Sequence, residues 1–452
     1  MENYALIGES RKQMMCPLPT LELHTNSGRA TDSVSARRIM RVAVGVLLFL
    51  LLCFTTTTVW VREAWALQWF QIGIYALVIA QVLMGGRSDR KDIAEGVVPL
   101  LVYLIPIWGI VQIEFHTTTA SFETRGEVLR WGALAGVFYL SQTLIRSRAS
   151  RERLLNATLC FATGMAVLCL MQLNTSAGRI LWSIPTKFGD IYATFQNKNN
   201  YAQFVEIALP IALWGAFREG RRAMWYALAG GVLYASAVAT ASRAGFVLCT
   251  AELITILTIG LARRRHSGVR LAIRSAGATA LVVLLIASAF TFAVGWRRTL
   301  DRFNEKDPYA IRREYFLGAV DMAKHRPLTG YGLGTYVQVY QKYAIKDQFP
   351  LYANHAHNDW AEFAADGGLP FLLLVLIPFL GAIPLAFRHP WGLGLVAVML
   401  NACVDYPFPR PAVSGWMFVI LAALYMTRKM ERTEYKAAKS VDAIDGSKRR
   451  NA

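Results

Sequence analysis

Residues 352–371 read YANHAHNDWAEFAADGGLPF, and the order of residue types in this stretch decides the kind of protein the chain makes. Asn358 or Asp359 is placed to cap a helix, 360–365 follow as a short helix, and Gly367-Gly368 stop it. Leu369-Pro370 then open a much longer apolar segment. Polar side chains capable of chemistry therefore stand directly against a run long enough to enter a bilayer. His357 sits just ahead of the helix start, where free backbone N–H groups and the positive end of the helix dipole favour an anion. That pairing suits phosphate-linked chemistry.

The same apolar character runs through the rest of the chain. Of 452 residues, 54% are hydrophobic and only 17% charged, which fits a polytopic membrane protein better than two or three soluble domains. Apolar runs are centred near residues 49, 75, 103, 136, 163, 209, 231, 254, 285, 378, 399 and 419. The expectation is an all-α polytopic membrane protein with about twelve transmembrane helices and one large structured external loop, which the resemblance given below would make periplasmic. Residues 1–38 read as a disordered cytoplasmic tail, 39–427 as the integral membrane domain and 428–452 as a basic cytoplasmic tail, with 296–368 the catalytic loop. Because 38 mostly polar residues precede the first apolar run, that run reads as an uncleaved signal-anchor.

A formal charge of +18 would suggest nucleic acid in a soluble protein. The distribution argues otherwise. With the N-terminal tail cytoplasmic, 30 of the 48 lysines and arginines fall on the cytoplasmic side, in the two tails and in short loops such as RSRASRER and RRRHSGVR. The positive-inside rule thus predicts both termini in the cytoplasm and accounts for most of the basicity. Ten of the other 18 lie in residues 296–368, too long a segment for a simple connector. The six cysteines show no paired spacing, and neither a disulfide nor a cysteine-metal site is expected.

Candidate residues gather at the external mouths of the predicted helices. The loop 174–200 ends in FQNKNNYAQF, where Asn197, Asn199 and Asn200 suit sugar hydroxyls or simple helix capping. Glu206 lies about 9 Å further in at helical rise; an ionisable group there is a ligand contact or a partnered structural carboxylate. TASRAG joins two helices so tightly that Arg243 must sit at the membrane surface, either snorkelling or fixing an anionic headgroup. Glu252, about 13 Å down the next helix, reads as a polar partner within the bundle. His116 reads as an interfacial residue.

Within the long loop, Pro308 and Pro327 bracket a helical pattern in which Tyr309, Phe316, Ala319, Val320 and Ala323 share a face. Arg312 falls inside that stripe and Arg313 at its edge, so Arg312 needs an anionic partner, a carboxylate or a ligand phosphate. PLTGYGLGTY follows, its glycines permitting a tight turn close to a ligand or to backbone. Near the C-terminus, NACVDYPFPRPA returns Asp405 and Arg410 to the same mouth, where Asp405 orients a histidine, binds an acceptor sugar, or pairs with Arg410.

His355-Ala356-His357 has the alternation by which two imidazoles hold one zinc, but no third ligand is evident in the sequence. An exposed His-Asn pair at a helix start, beside arginines, fits general-base work instead. The imidazole takes a proton from an attacking sugar hydroxyl, and the arginines stabilise a departing diphosphate.

FQNKNN, SRAG, RREYF, PLTGYGLG and HAHNDW, in this order over roughly residues 180–410, resemble the O-antigen ligase and polymerase superfamily. The His-Asn followed by nine residues and a glycine matches at His357, Asn358 and Gly368. The resemblance implies a metal-independent, inverting membrane glycosyltransferase without a cofactor. It also implies His357 as base, with Asn358 beside it, Arg243 and Arg312 on a lipid diphosphate, and Asp405 in support. Its donor would be an undecaprenyl-diphosphate-linked glycan, its acceptor a lipid A-core sugar or another lipid-linked glycan, and its place the bacterial inner membrane with the site facing the periplasm. One departure is Phe371, where the family often has a second glycine. A ligase is the leading expectation, an O-antigen or exopolysaccharide polymerase the second and a protein-acceptor oligosaccharyltransferase the third. A lipid-glycan flippase is the alternative of a different class; the absence of internal repeats and the one-sided polar cluster favour an enzyme.

Overall fold

The computed structural model describes residues 24–61, 63–84, 93–186, 189–218, 221–264, 289, 310–344 and 353–450. The expected span near residue 285 and the stretch 290–309, with Pro308 and Tyr309, lie outside them. The chain divides into units 1–43 and 44–452. In the first, helix is present from residue 24, within the stretch read from sequence as an irregular tail.

The fold is all-α. Thirteen helices are described: α1 (His24–Thr57), α2 (Ala64–Met84), α3 (Val97–Glu114), α4 (Ser121–Leu144), α5 (Arg148–Thr175), α6 (Lys198–Gly215), α7 (Arg221–Ala239), α8 (Arg243–Arg264), α9 (Ala310–His325), α10 (Tyr336–Tyr340), α11 (Asp359–Arg388), α12 (Leu393–Asn401) and α13 (Pro411–Arg450). Two short strands, β1 (Arg179–Ile180) and β2 (Ile184–Pro185), pair antiparallel before α6. Among the described residues, seven helices are long and apolar enough to cross a membrane: α1 from Ile39, α2, α3, α5, α8, α11 and α13. The molecule is a polytopic membrane protein. Eleven of the twelve expected run centres fall inside α-helices. The run near 399 is shorter than expected: with the single turn Pro390–Gly392 it forms a helical stretch only to Asn401, about 18 Å against a hydrocarbon core of about 30 Å.

Two helices make the centre. In α6 all but a few residues are buried, and it packs on α5, α7, α8, α12 and α13. The apolar part of α13 is buried along most of its length, with Trp416 donating its indole N–H to Thr56 at 3.0 Å. Around Trp131 of α4, the rings of Phe363, Phe371, Phe408 and Phe418 stand within 6.3 Å, mostly edge to face. Such pairs each add about 0.5–1.5 kcal/mol beyond burial. Phe371 is 1% exposed, its ring edge-on to Trp131 at 5.6 Å and to Phe363 at 5.5 Å.

The feature that positions the site is the break in α11. Gly368 has φ 70, ψ −179, so a short helix from Asp359 ends there and a membrane helix begins. A Cβ at Gly368 would stand 2.6 Å from the backbone carbon of Leu328, and the Leu369 N–H donates to Pro327 O at 2.7 Å. Carbonyls freed by the break find new donors. Trp108 Nε1 reaches Gly367 O at 2.8 Å, Gln112 Nε2 reaches Asp366 O at 2.9 Å, and the N–H groups of Tyr331 and Gly332 reach Ala365 O and Asp366 O. The PLTGYGLG turn is thus a clasp on α11. Its glycines serve backbone approach: a Cβ on Gly330 would lie 2.3 Å from Asp366 O.

Candidate functional site

The first turn of α11 is stitched to the turn after α12. Asn358 is the N-cap, its side-chain oxygen accepting from the Ala361 N–H at 3.0 Å, while its Nδ2 donates to Cys403 O at 2.8 Å. The Asp359 N–H donates to Ala402 O at 2.9 Å, and Asp359 Oδ2 accepts from the Phe408 N–H at 3.0 Å. These bonds set residue 357 opposite residue 405. His357 itself has φ 50, a left-handed conformation that costs a non-glycine residue about 1–2 kcal/mol and is concentrated at functional sites.

Asp405 is the hub. It is 1% exposed, with His357 Nδ1 3.4 Å from its Oδ1 and an Arg312 guanidinium nitrogen 3.7 Å from its Oδ2. The Tyr406 N–H donates to Oδ1 at 3.0 Å, and Arg312 also donates to Val404 O at 2.7 Å. The His357 contact is too long for a well-formed hydrogen bond. Burial alone would raise the Asp405 carboxyl, but the His357 contact, the charges of Arg312 and His357 and the Tyr406 N–H outweigh it and hold it below the ordinary carboxylate value. The anionic partner required by Arg312 is therefore Asp405, and the Arg312 side chain is still 28% exposed.

Aromatic and acidic neighbours fix the imidazoles. Tyr406 stands edge-on to His357, with centroids 4.9 Å apart, and stacks on His355 at 4.3 Å. His355 Nδ1 lies 2.9 Å from Glu362 Oε1, whose other oxygen accepts from the Ala356 N–H at 2.7 Å. The two histidines of HAH therefore face different carboxylates. Among the described residues there is no group of three or more His, Cys, Asp or Glu side chains arranged to hold a metal ion.

The asparagine mouth reaches the same cluster. Asn197 caps α6 by accepting from the Asn199 N–H at 2.8 Å, and its Nδ2 lies 3.4 Å from the Tyr406 hydroxyl. Asn199 accepts from Ser242 Oγ at 2.9 Å, in the residue before Arg243. Arg243, half-buried, opens α8 beside this contact. The motifs that resemble the family thus come together through Ser242–Asn199 on one side and Asn197–Tyr406–His357 on the other.

Asn200 and Glu206 point elsewhere. Asn200 Nδ2 donates to Gln203 at 2.9 Å, Gln203 Nε2 donates to Asn401 Oδ1 at 3.1 Å, and Asn401 Nδ2 donates to Glu206 Oε1 at 2.8 Å. All four are buried, Glu206 completely. The row ties α6 to the end of α12, and Asn401 O in turn accepts the Asp405 N–H at 3.0 Å. Glu252 is buried in α8, and neither of its carboxylate oxygens has a hydrogen-bond partner among the described residues.

Three participants could not be picked out from the sequence alone. Glu362 and Tyr406 adjoin the motifs that pointed to His357 and Asp405. Arg130, 4% exposed, bonds to Glu127 and donates to Phe408 O at 2.7 Å, beneath the same turn; in the sequence it follows Glu123, Arg125 and Glu127 in the polar first part of α4, where an arginine gives no sign of burial. A cavity of about 110 Å³ lies here, lined by Glu127, Arg130, His355, Glu362 and Asp366 among others. Arg410, expected as an alternative partner for Asp405, lies with its guanidinium 5.4 Å over the Tyr406 ring.

In comparison with known proteins, residues 228–376 match a family model described as O-Antigen ligase. The match takes in Arg243, Arg312, His357 and Asn358 and ends before Asp405. No curated protein matches the chain in sequence.

Proposed function

We propose that this chain, whose residues 228–376 match a family model described as O-Antigen ligase, transfers a glycan from undecaprenyl diphosphate to an acceptor hydroxyl, with a lipid A-core sugar as the acceptor. The observation that carries this reading is the convergence of His357 and Arg312 on the buried Asp405 carboxylate, at 3.4 Å and 3.7 Å. Asp405 engages Nδ1 of His357 and leaves Nε2 to take the acceptor proton. The acceptor oxygen then attacks the anomeric carbon from the face opposite the diphosphate. The carbon–oxygen bond to the diphosphate breaks with its electron pair on the departing oxygen, and the anomeric configuration inverts. Arg312 and Arg243 neutralise the charge that develops there. Asn358 acts by position, capping α11 and holding residues 357 and 403 together. Asn197 and Asn199 line the approach of the glycan, whereas Glu206 supports the site from within.

In this reading the site faces the periplasm of the bacterial inner membrane. The acceptor decides between ligase and polymerase. Purified protein given labelled undecaprenyl-diphosphate glycan, with lipid A-core and a second lipid-linked glycan in competition, should place label on lipid A-core. Lengthened lipid-linked chains would make it a polymerase, and recovery of unreacted donor alone would overturn the proposal.

A further inference from the structure

At the end of the membrane helix remote from His357, the structure holds a second, cationic cavity. From Gly368 to the end of α11 at Arg388 the helix is about 30 Å long, the thickness of a hydrocarbon core, so Arg388 lies on the opposite face of the membrane. A cavity of about 960 Å³ opens there between α11 and α13. Its floor is apolar, formed by Leu385 and by Tyr425, whose hydroxyl donates to Pro378 O at 2.7 Å.

Its wall is one face of α13. Arg428, Arg432, Lys436 and Lys439 all line it, and at 100° per residue they fall within about 80° of arc. Both carboxylates at the cavity are already engaged: Glu431 with Arg388 at 3.1 Å and with His389 at 3.3 Å, and Glu95 with Lys429 at 3.6 Å. Glu434 pairs with Arg148 at 2.6 Å. The four stripe cations have no ion pair among the described residues. The stripe begins immediately after Met426 and Thr427, the last buried residues of α13 among the described side chains, which sets Arg428 and Arg432 at headgroup depth and Lys436 and Lys439 about 10–15 Å further out.

We propose that this cavity binds the phosphate headgroup of an anionic membrane lipid, with Arg428 and Arg432 on the phosphate and the start of an acyl chain on Leu385 and Tyr425. The apolar floor continuous with the bundle selects a lipid over a free phosphate compound, and cations on long stems at the membrane edge are suited to reach the headgroup. The site lies a full membrane thickness from His357 and is independent of the chemistry there.

The test uses the full-length protein in nanodiscs of phosphatidylcholine containing increasing phosphatidylglycerol, with bound lipid counted by mass spectrometry and inorganic pyrophosphate as the soluble competitor. Wild type should enrich phosphatidylglycerol. Arg428→Gln with Arg432→Gln should weaken that enrichment by roughly ten- to thirty-fold, each cation near a charged surface being worth about a factor of five. Lys436→Gln with Lys439→Gln, which tests the depth argument in a protein with the inner pair intact, should change it less than about three-fold, and millimolar pyrophosphate should not compete. Equal retention of both lipids by wild type would overturn the proposal. So would displacement by pyrophosphate with equal losses in the two double variants, which would assign the cavity to a soluble anion.

Discussion

His357 combines two properties that explain one another: a left-handed backbone and a buried carboxylate beside its ring. The backbone turns the imidazole back over residues 404–406 instead of letting it follow Asn358 into the helix, and the strain is held by the Asn358 and Asp359 bonds on either side of that turn. If Asp405 orients His357, Asp405→Asn should lower kcat by on the order of 10²-fold with little change in KM for the donor. Arg312→Ala should act chiefly on donor binding, and Arg312→Lys should restore it only in part, because an ammonium lacks the planar fork. The depressed Asp405 carboxyl also carries a stability signature. Its folded value lies below its unfolded one, so its contribution is complete above about pH 4 and is lost as the pH falls through the lower folded value. The melting difference between wild type and Asp405→Asn should accordingly be flat from pH 5 to 7 and shrink in acid. His357, Asn358, Arg312 and Asp405 were legible because motif and chemistry coincided there. Glu362 and Arg130 were not, since a carboxylate inside a helix and an arginine at the end of a charged stretch reveal their roles only once another segment is packed on them.

Among the elements, α11 shows how far a sequence can be read and where it stops. Asn358 as cap and the stop at Gly367-Gly368 follow from local rules, and both are present. What residues 366–368 bind was not readable, because the partners Trp108, Gln112 and Leu328 are distant in sequence. Gly368→Ala should cost at least about 2 kcal/mol, seen as a lower melting temperature, since φ 70 and the Leu328 backbone both oppose a side chain. In α9 the most buried residues are Tyr315, Gly318, Ala319 and Met322; of the expected stripe Ala319 is fully buried and Phe316 and Val320 pack partly buried beside it, so the face is shifted toward Tyr315 and Met322. The cause is local packing: Gly318 admits the Tyr340 ring, where a Cβ would stand at 2.4 Å, and Tyr315 meets the same ring edge-on at 5.5 Å. Asn401 is the corresponding joint between α6 and α12. Asn401→Leu removes the donor to Glu206 Oε1 and should cost about 1–3 kcal/mol, with a loss of kcat through the Asp405 turn; unchanged stability would show that the polar row bears no strain.

Over the whole molecule, the distribution of lysine and arginine predicts that the tails and His357 lie on opposite faces of the membrane. That arrangement follows from lysine and arginine counts in short loops, whereas the helix lengths did not follow from apolar content alone, as the short α12 illustrates. In a background without native cysteines, Leu328→Cys, in the exposed turn clasping α11, should react with an impermeant maleimide applied to spheroplasts. Ser440→Cys on the distal part of α13 should react only after permeabilisation, and the reverse pattern would invert the topology. The decisive measurement is release of undecaprenyl diphosphate by purified protein from a labelled lipid-linked glycan, with and without acceptor hydroxyls. The wild type should release it only with acceptor, and His357→Ala should bind the donor but release none above background. Acceptor-dependent release by His357→Ala at the wild-type rate would contradict His357 as the base.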